Sequence, residues 1–174
     1  MKLIDILKEI TEGKQVGLLY HFTYLDSIPN ILKTGLSFSP DNTELPKHKN
    51  KFYISATRDH TGRKFAKDEE RETRITLNGD LISEHYSIEP ISVENIWAKI
   101  EGGYLSNQFV KDPYYEERIW SSKGGYLDIK YIIKIDTVVP EDEIKREIEG
   151  NGKFKRFDNN IFKYVNFVKS FNNK

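Results

Sequence analysis

Three stretches of the chain carry residues able to do chemistry. The first is Tyr20-His21-Phe22-Thr23, in LLYHFT, where an imidazole closes an apolar run. A histidine at a strand end either packs in the core or reaches for a ligand, and its neighbours decide which. The second is Phe52-Tyr53-Ile54-Ser55, followed by Thr57-Arg58-Asp59. Arginine there could hold an anion, because its planar fork can bond two oxygens. The third is Glu116-Glu117, with Glu117 opening the run ERIW. A carboxylate fixed at such a place can stabilise developing positive charge, or accept the proton of an incoming nucleophile. Ahead of it, Tyr104, Phe109, Tyr114 and Tyr115 offer rings that stack on a nucleobase or pack against a protein. His48, His60 and His85 are scattered without metal-ligand spacing and are expected at the surface, as are Arg63 and Lys64.

The elements that must position these residues follow from hydrophobic period and turn signals. Residues 2–12 carry apolar side chains at helical spacing, and 18–22 read as a strand. Asp26 or Ser27 can cap a helix that Gly35 ends in a left-handed conformation. Residues 39–51 read as a loop, 51–57 as a strand and 59–73 as a charged solvent-facing segment. Residues 74–77 form a strand closed by an Asn78-Gly79 turn, and 84–92 a further strand bent at Pro90. EERIWSS and YIIKIDTVV give two more strands around Lys123-Gly124-Gly125, and Pro140 starts an acidic helix. The last segment, NIFKYVNFVKSF, places Ile161, Tyr164, Val165 and Val168 on one helical face packed on the core. The expected class is α+β in a single domain over 1–174, with a small mixed or antiparallel sheet and helices at both ends.

Composition narrows the function classes. With 174 residues the chain can bury a core, and 13% aromatic content sets it apart from disordered chains despite 31% charge. The net charge of zero argues against holding nucleic acid by bulk electrostatics and leaves a local basic patch open. The absence of cysteine excludes disulfides, thiolate metal sites and thiol catalysis. No run reaches membrane-spanning length and no signal-peptide pattern opens the chain, so a cytoplasmic protein without a membrane partner is expected. Abundant Lys, Asn and Ile suit an AT-rich genome, such as that of a phage or a low-GC bacterium.

YHFT feeding a helix that ends ILKTGL, then FYIS, then EERIW, resembles the ADP-ribosyltransferase superfamily over residues 18–135. The order is similar to its histidine-tyrosine-glutamate branch, in particular to DNA-modifying toxins and small phage-encoded relatives. Ser55-Ala56-Thr57 is also similar to a serine-threonine-serine strand of the arginine-glutamate branch. The resemblance implies split small β-sheets with flanking helices, NAD as the substrate and no metal. It implies that His21 bonds an adenosine-side ribose hydroxyl, that the Phe22 backbone meets the nicotinamide amide, and that Tyr53 stacks on the nicotinamide ring. Thr23, Ser55 and Arg58 would complete the NAD contacts. Glu117, with Glu116 as its alternate, would bond the nicotinamide-ribose 2′-hydroxyl. The expected reaction is transfer of ADP-ribose to a macromolecular acceptor with release of nicotinamide, in a toxin or in a phage effector acting in host cytoplasm. The aromatic loop favours a nucleic acid base over a protein side chain as acceptor, and a host target or an antidote would be the partner. The alternatives are an inactive NAD-fold accessory protein and an NAD glycohydrolase. An RNA 2′-phosphotransferase shares the fold, but its basic phosphate-gripping residues are not evident here.

Overall fold

The computed structural model describes residues 17–41, 49–61, 71–91, 116–149 and 161–171. The expected helix at 2–12, Arg63, Lys64 and the aromatic residues Tyr104, Phe109, Tyr114 and Tyr115 of the expected loop lie outside them. Strand β1, Leu18–Thr23, runs through a turn of 3-10 helix at Leu25–Ser27 into α1, Ile28–Thr34. Pro29 sits in the first turn of α1, where its missing N–H leaves no bond unmade, and Ile28 and Ile31 turn one stripe to the core. Neither expected cap forms in the expected way, because the Ser27 hydroxyl faces Asp26 (3.4 Å) and makes no cap bond.

Two short strands follow, β2 at Leu36–Ser37 and β3 at Ser39–Pro40, so part of the expected 39–51 loop is paired. Then come β4, Phe52–Thr57, and β5, Thr73–Asn78. The Asn-Gly signal does not make a hairpin. The Asn78 carboxamide oxygen accepts from the Leu81 amide (3.0 Å) and caps a short helix α2, Gly79–Ser83. Gly79 is required by a close approach, since a Cβ there would lie 2.4 Å from the Gly17 carbonyl oxygen. Strand β6, Ser87–Ile91, passes through Pro90. After it come β7, Glu116–Ser121, β8, Tyr126–Leu127, and β9, Ile132–Thr137. Helix α3, Glu141–Glu149, carries three acids in its first turn and buries Ile144.

The C-terminal segment is the largest departure from expectation. Instead of a helix it makes one turn at Ile161–Lys163 and then strand β10, Val165–Phe167, parallel to β9. Tyr164, expected inward, is 57% exposed. A short run of β-branched and aromatic residues fits either period, and the open edge of β9 supplies backbone partners that a helix would forgo. The Asn166 side chain adds a bond to the Ile135 carbonyl (3.2 Å).

Among the described residues, eight strands form one mostly antiparallel sheet, in the order β10-β9-β5-β1-β4-β7-β6 with β3 beside β4; β2 and β8 pair separately. Together with the short helices this is an α+β arrangement. Strand β1 matches β5 at six positions and β4 matches β7 at six, yet β1 and β4 meet in register only at Tyr20 and Thr57. The sheet is therefore two well-knit halves joined by a narrow seam. One face carries the core, with Leu19, Ile54, Ala56, Ile75, Leu77, Ile119 and Ile135 under the helices. Alternation sends Tyr20, Phe22, Arg74 and Arg118 to the other face. No helix among the described residues is long and apolar enough to cross a membrane.

Gly35 closes α1 with φ 92° and ψ −178°, a positive φ with extended ψ in place of the left-handed helical geometry expected. A Cβ at Gly35 would also sit 2.2 Å from the Leu127 carbonyl oxygen, whereas Gly125, at φ 116°, has nothing within 4 Å of that position. Gly125→Ala should lose about 1–3 kcal/mol of stability through backbone strain alone. Gly35→Ala should lose clearly more in the same urea titration, because β2 must also move off β8; equal losses would contradict the close approach.

Candidate active site

The seam brings His21 beside the second half-sheet. His21 Nδ1 lies 2.7 Å from the Ser55 carbonyl oxygen. A carbonyl only accepts, so Nδ1 carries the hydrogen, and in the neutral ring Nε2 is left as an acceptor. The imidazole is kept neutral by withdrawal from water, which pushes its pKa below the usual 6.5 and outweighs the bond to Ser55, while the nearby Arg71 charge acts in the same downward direction. A crevice of about 10 Å³ lies between β1 and β4 at this point, lined by Tyr20, His21, Phe22, Ser55, Ala56, Thr57 and Arg71.

One step beyond the Tyr20–Thr57 pair, His21 comes level with Ala56, and Ala56 is paired with Glu117. The three share the core face of the sheet, and two strand spacings put His21 and Glu117 about 10 Å apart. The residue between them, Ala56, has only a methyl group and is itself 3% exposed, part of the packed core. Glu117 is 4% exposed, and its Oε1 accepts from Arg58 Nε, whose side chain is 44% exposed. A buried carboxylate is thereby tied to a guanidinium that reaches solvent.

Glu116 takes the opposite face, because consecutive strand residues point to opposite sides. There it accepts from Arg118 Nε (2.9 Å), while Arg118 Nη1 donates to Asp41 (3.2 Å). The Arg118 guanidinium lies 3.9 Å from the Tyr53 ring centre, and Trp120 stands 5.6 Å from the same ring. Tyr53 therefore belongs to this second cluster and is not brought together with His21 and Glu117. Ser55, opposite Arg118 in the ladder, also directs its side chain there, but its carbonyl serves His21. Phe22 packs edge-on against Phe171 (5.5 Å) on that face, and Thr23 stands two residues beyond His21 on the core face, paired with Thr73.

Of the expected surface histidines, His85 is exposed, His48 lies outside the described residues, and His60 is half-buried with its ring 6.3 Å from Tyr20. Asp41, Arg71, Ala56 and Arg118 did not stand out in the sequence. Asp41 and Arg118 are 77 residues apart, and no local signal pairs them. Ala56 matters for being small, which shows only once the register is known. Among the described residues, no group of three or more His, Asp or Glu is placed to hold a metal ion. Comparison with protein-family models, with curated proteins and with solved structures finds no match for the chain.

The lowered His21 pKa has a direct consequence for stability. The unfolded chain takes up a proton at this residue near pH 6.5 while the folded chain resists it. The contribution is therefore complete above 6.5 and is lost as the pH falls below it. Urea unfolding of the native chain should weaken between pH 7.5 and pH 5 more steeply than that of His21→Asn, which retains an N–H for Ser55 but cannot titrate. Asp136, lowered from an ordinary value of 3.8, titrates below this window. Equal slopes for the two proteins would refute the assignment.

Proposed function

We propose that this chain transfers ADP-ribose from NAD to a macromolecular acceptor, with the donor bound on the core face of the sheet where β1 and β4 part. The observation that carries the reading is the row His21–Ala56–Glu117, an acceptor nitrogen and a carboxylate facing the same side with only a methyl group between them. The resemblance of YHFT, FYIS and EERIW to the histidine-tyrosine-glutamate ADP-ribosyltransferases supports it further.

In this reading Nε2 of His21 accepts a hydrogen bond from an adenosine-side ribose hydroxyl, and Glu117 bonds the 2′-hydroxyl of the nicotinamide ribose. NAD folded so that its two riboses approach one another would bridge the pair. As the bond from C1′ to the nicotinamide nitrogen breaks, nicotinamide leaves with the bonding electrons and positive charge spreads over C1′ and the ring oxygen. The fixed Glu117 carboxylate stabilises that charge in a setting poor in water. The acceptor then bonds to C1′, and its proton passes to Glu117 or to solvent. Arg58 orients the carboxylate and stands where it can turn to the diphosphate, since half of its side chain already meets solvent. Glu116 and Tyr53 act in this scheme by bracing Arg118, and so hold β7 against β4. A nucleic acid base remains the favoured acceptor on the strength of the aromatic loop before Glu116.

The two glutamates separate the roles. Glu117→Gln keeps an oxygen for Arg58 and should melt within a few degrees of the native chain, yet lose labelling from labelled NAD in a host lysate by about a hundredfold or more. Glu116→Gln removes one acid from a buried arginine and should lower the melting temperature instead. Label that resists protease and yields to nuclease assigns the acceptor to nucleic acid. Unchanged labelling by Glu117→Gln would move the chemistry elsewhere. Absence of both labelling and nicotinamide release in the native protein would sink the transferase reading.

A further inference from the structure

At the far end of the same half-sheet from Glu117 lies a pocket of about 270 Å³ that none of these roles uses. Three strand ends meet there: Lys51 just before β4, Ser87 at the start of β6, and Ser121 and Ser122 where β7 stops. His85 completes the rim, and Tyr86 and Trp120 form the wall. Among the described lining residues none is acidic. In a chain of zero net charge, a concavity that gathers a lysine, a histidine and serine hydroxyls without a carboxylate has the chemistry of an oxyanion site.

The groups stand on fixed backbone. The Tyr86 ring stacks on Phe38 (5.5 Å, 26°) and meets Tyr131 edge-on (6.1 Å). The amides of His85 and Tyr86 both donate to the Ile82 carbonyl, at 3.0 and 2.9 Å. His85 and Ser87 thus flank an anchored residue. On the other side the Ser121 hydroxyl donates to the Lys123 carbonyl (2.5 Å) and accepts from the Lys123 amide (3.2 Å), folding the turn that presents Ser122.

We propose that this pocket binds the phosphate group of a nucleotide. Lys51 supplies the charge, and His85 with the hydroxyls of Ser87 and Ser122 supplies hydrogen bonds to the phosphate oxygens. A phosphate fills on the order of three water volumes, ~90 Å³, so the pocket also admits part of the attached sugar. Ser121 lies four positions along β7 from Glu117, about 13 Å, so this is a second site, apart from the proposed donor site. A single strand held here by one phosphate could reach toward Glu117, although binding in the pocket does not depend on the transferase reading.

The test is a titration of the full chain with three probes, inorganic phosphate, thymidine monophosphate and a short oligothymidylate, followed by amide and indole nuclear magnetic resonance. Saturable shifts are expected at Trp120, Ser87 and Ser122. Lys51→Met and His85→Gln should each weaken binding about tenfold, with unchanged melting. Tighter binding of the oligothymidylate, with a salt slope that falls by about one in Lys51→Met, assigns the phosphate to a strand. Equal binding of all three probes assigns it to a free oxyanion or mononucleotide. No saturable shift with any probe, or full affinity in both variants, overturns the proposal. The titration contains no NAD, so failure of the transferase reading would leave its result intact.

Discussion

The bond from His21 to the Ser55 carbonyl is the contact on which the arrangement of the two half-sheets rests. Within each half the central strands are joined along ladders of five or six matched positions, and the outlying pairs β10–β9 and β3–β4 along three and two. Between β1 and β4 one matched position remains, and a side chain takes over at 2.7 Å. Buried carbonyls left without a partner are costly, so a strand that peels away from its neighbour must be replaced by another donor. The imidazole does this with one nitrogen and still has a second to offer. A residue with a single polar atom would close the seam or serve a ligand, but not both.

The face away from the core solves a different problem. Arg74 and Arg118 are buried there at 5% and 6% exposure, where isolated charges would be prohibitive. Each is matched by acids and covered by rings. Arg74 donates to Asp136 (2.7 Å) and lies over Phe171 (4.9 Å) and Tyr20 (5.5 Å). Burial pushes Asp136 up, yet the hydrogen bonds from Arg74 and Lys134 outweigh that and hold its pKa below the ordinary value. Arg74 also donates to the carbonyls of His60 and Phe171, so one guanidinium ties β5 to the turn after β4 and to the C-terminal end of the chain. Buried pairs of this kind add little net stability, but they are intolerant of the wrong partner and so fix which strands lie together.

Much of the strand pattern was legible because apolar alternation and β-branched runs mark half-buried strands, as in FYISAT and TRITLN. The helix IPNILKT was legible from its proline, its apolar stripe and the glycine after it. What misled was short and ambiguous. Asn78-Gly79 is a turn signal and also a helix cap, and the choice fell to Gly17, whose carbonyl takes the Gly79 amide (3.0 Å). The C-terminal run fits period 3.6 as well as period 2, and the unfilled edge of β9 decided it. The candidate site was legible as residues but not as an assembly. Long-range register placed Ala56 between His21 and Glu117 and gave Asp41 to Arg118, and single-sequence pattern carries no information on such pairings.

Period-two alternation also divides the adjacent glutamates. Both are nearly buried, and by sequence alone either could be the active acid. Once β7 is paired with β4, however, they cannot share a face. The acid opposite Thr57 must look toward Tyr53 and Arg118, and the acid opposite Ala56 toward His21. Their arginines differ in kind as well. Arg118 is enclosed and engaged by two acids and two rings, so its acid can move only with the strand. Arg58 holds Glu117 through its Nε, and its side chain is 44% exposed, against 7% for Arg118. Under the proposed transfer, the counter-ion of the acting acid would be the one in contact with solvent. Of the two acids, Glu117 is the one whose counter-ion reaches solvent.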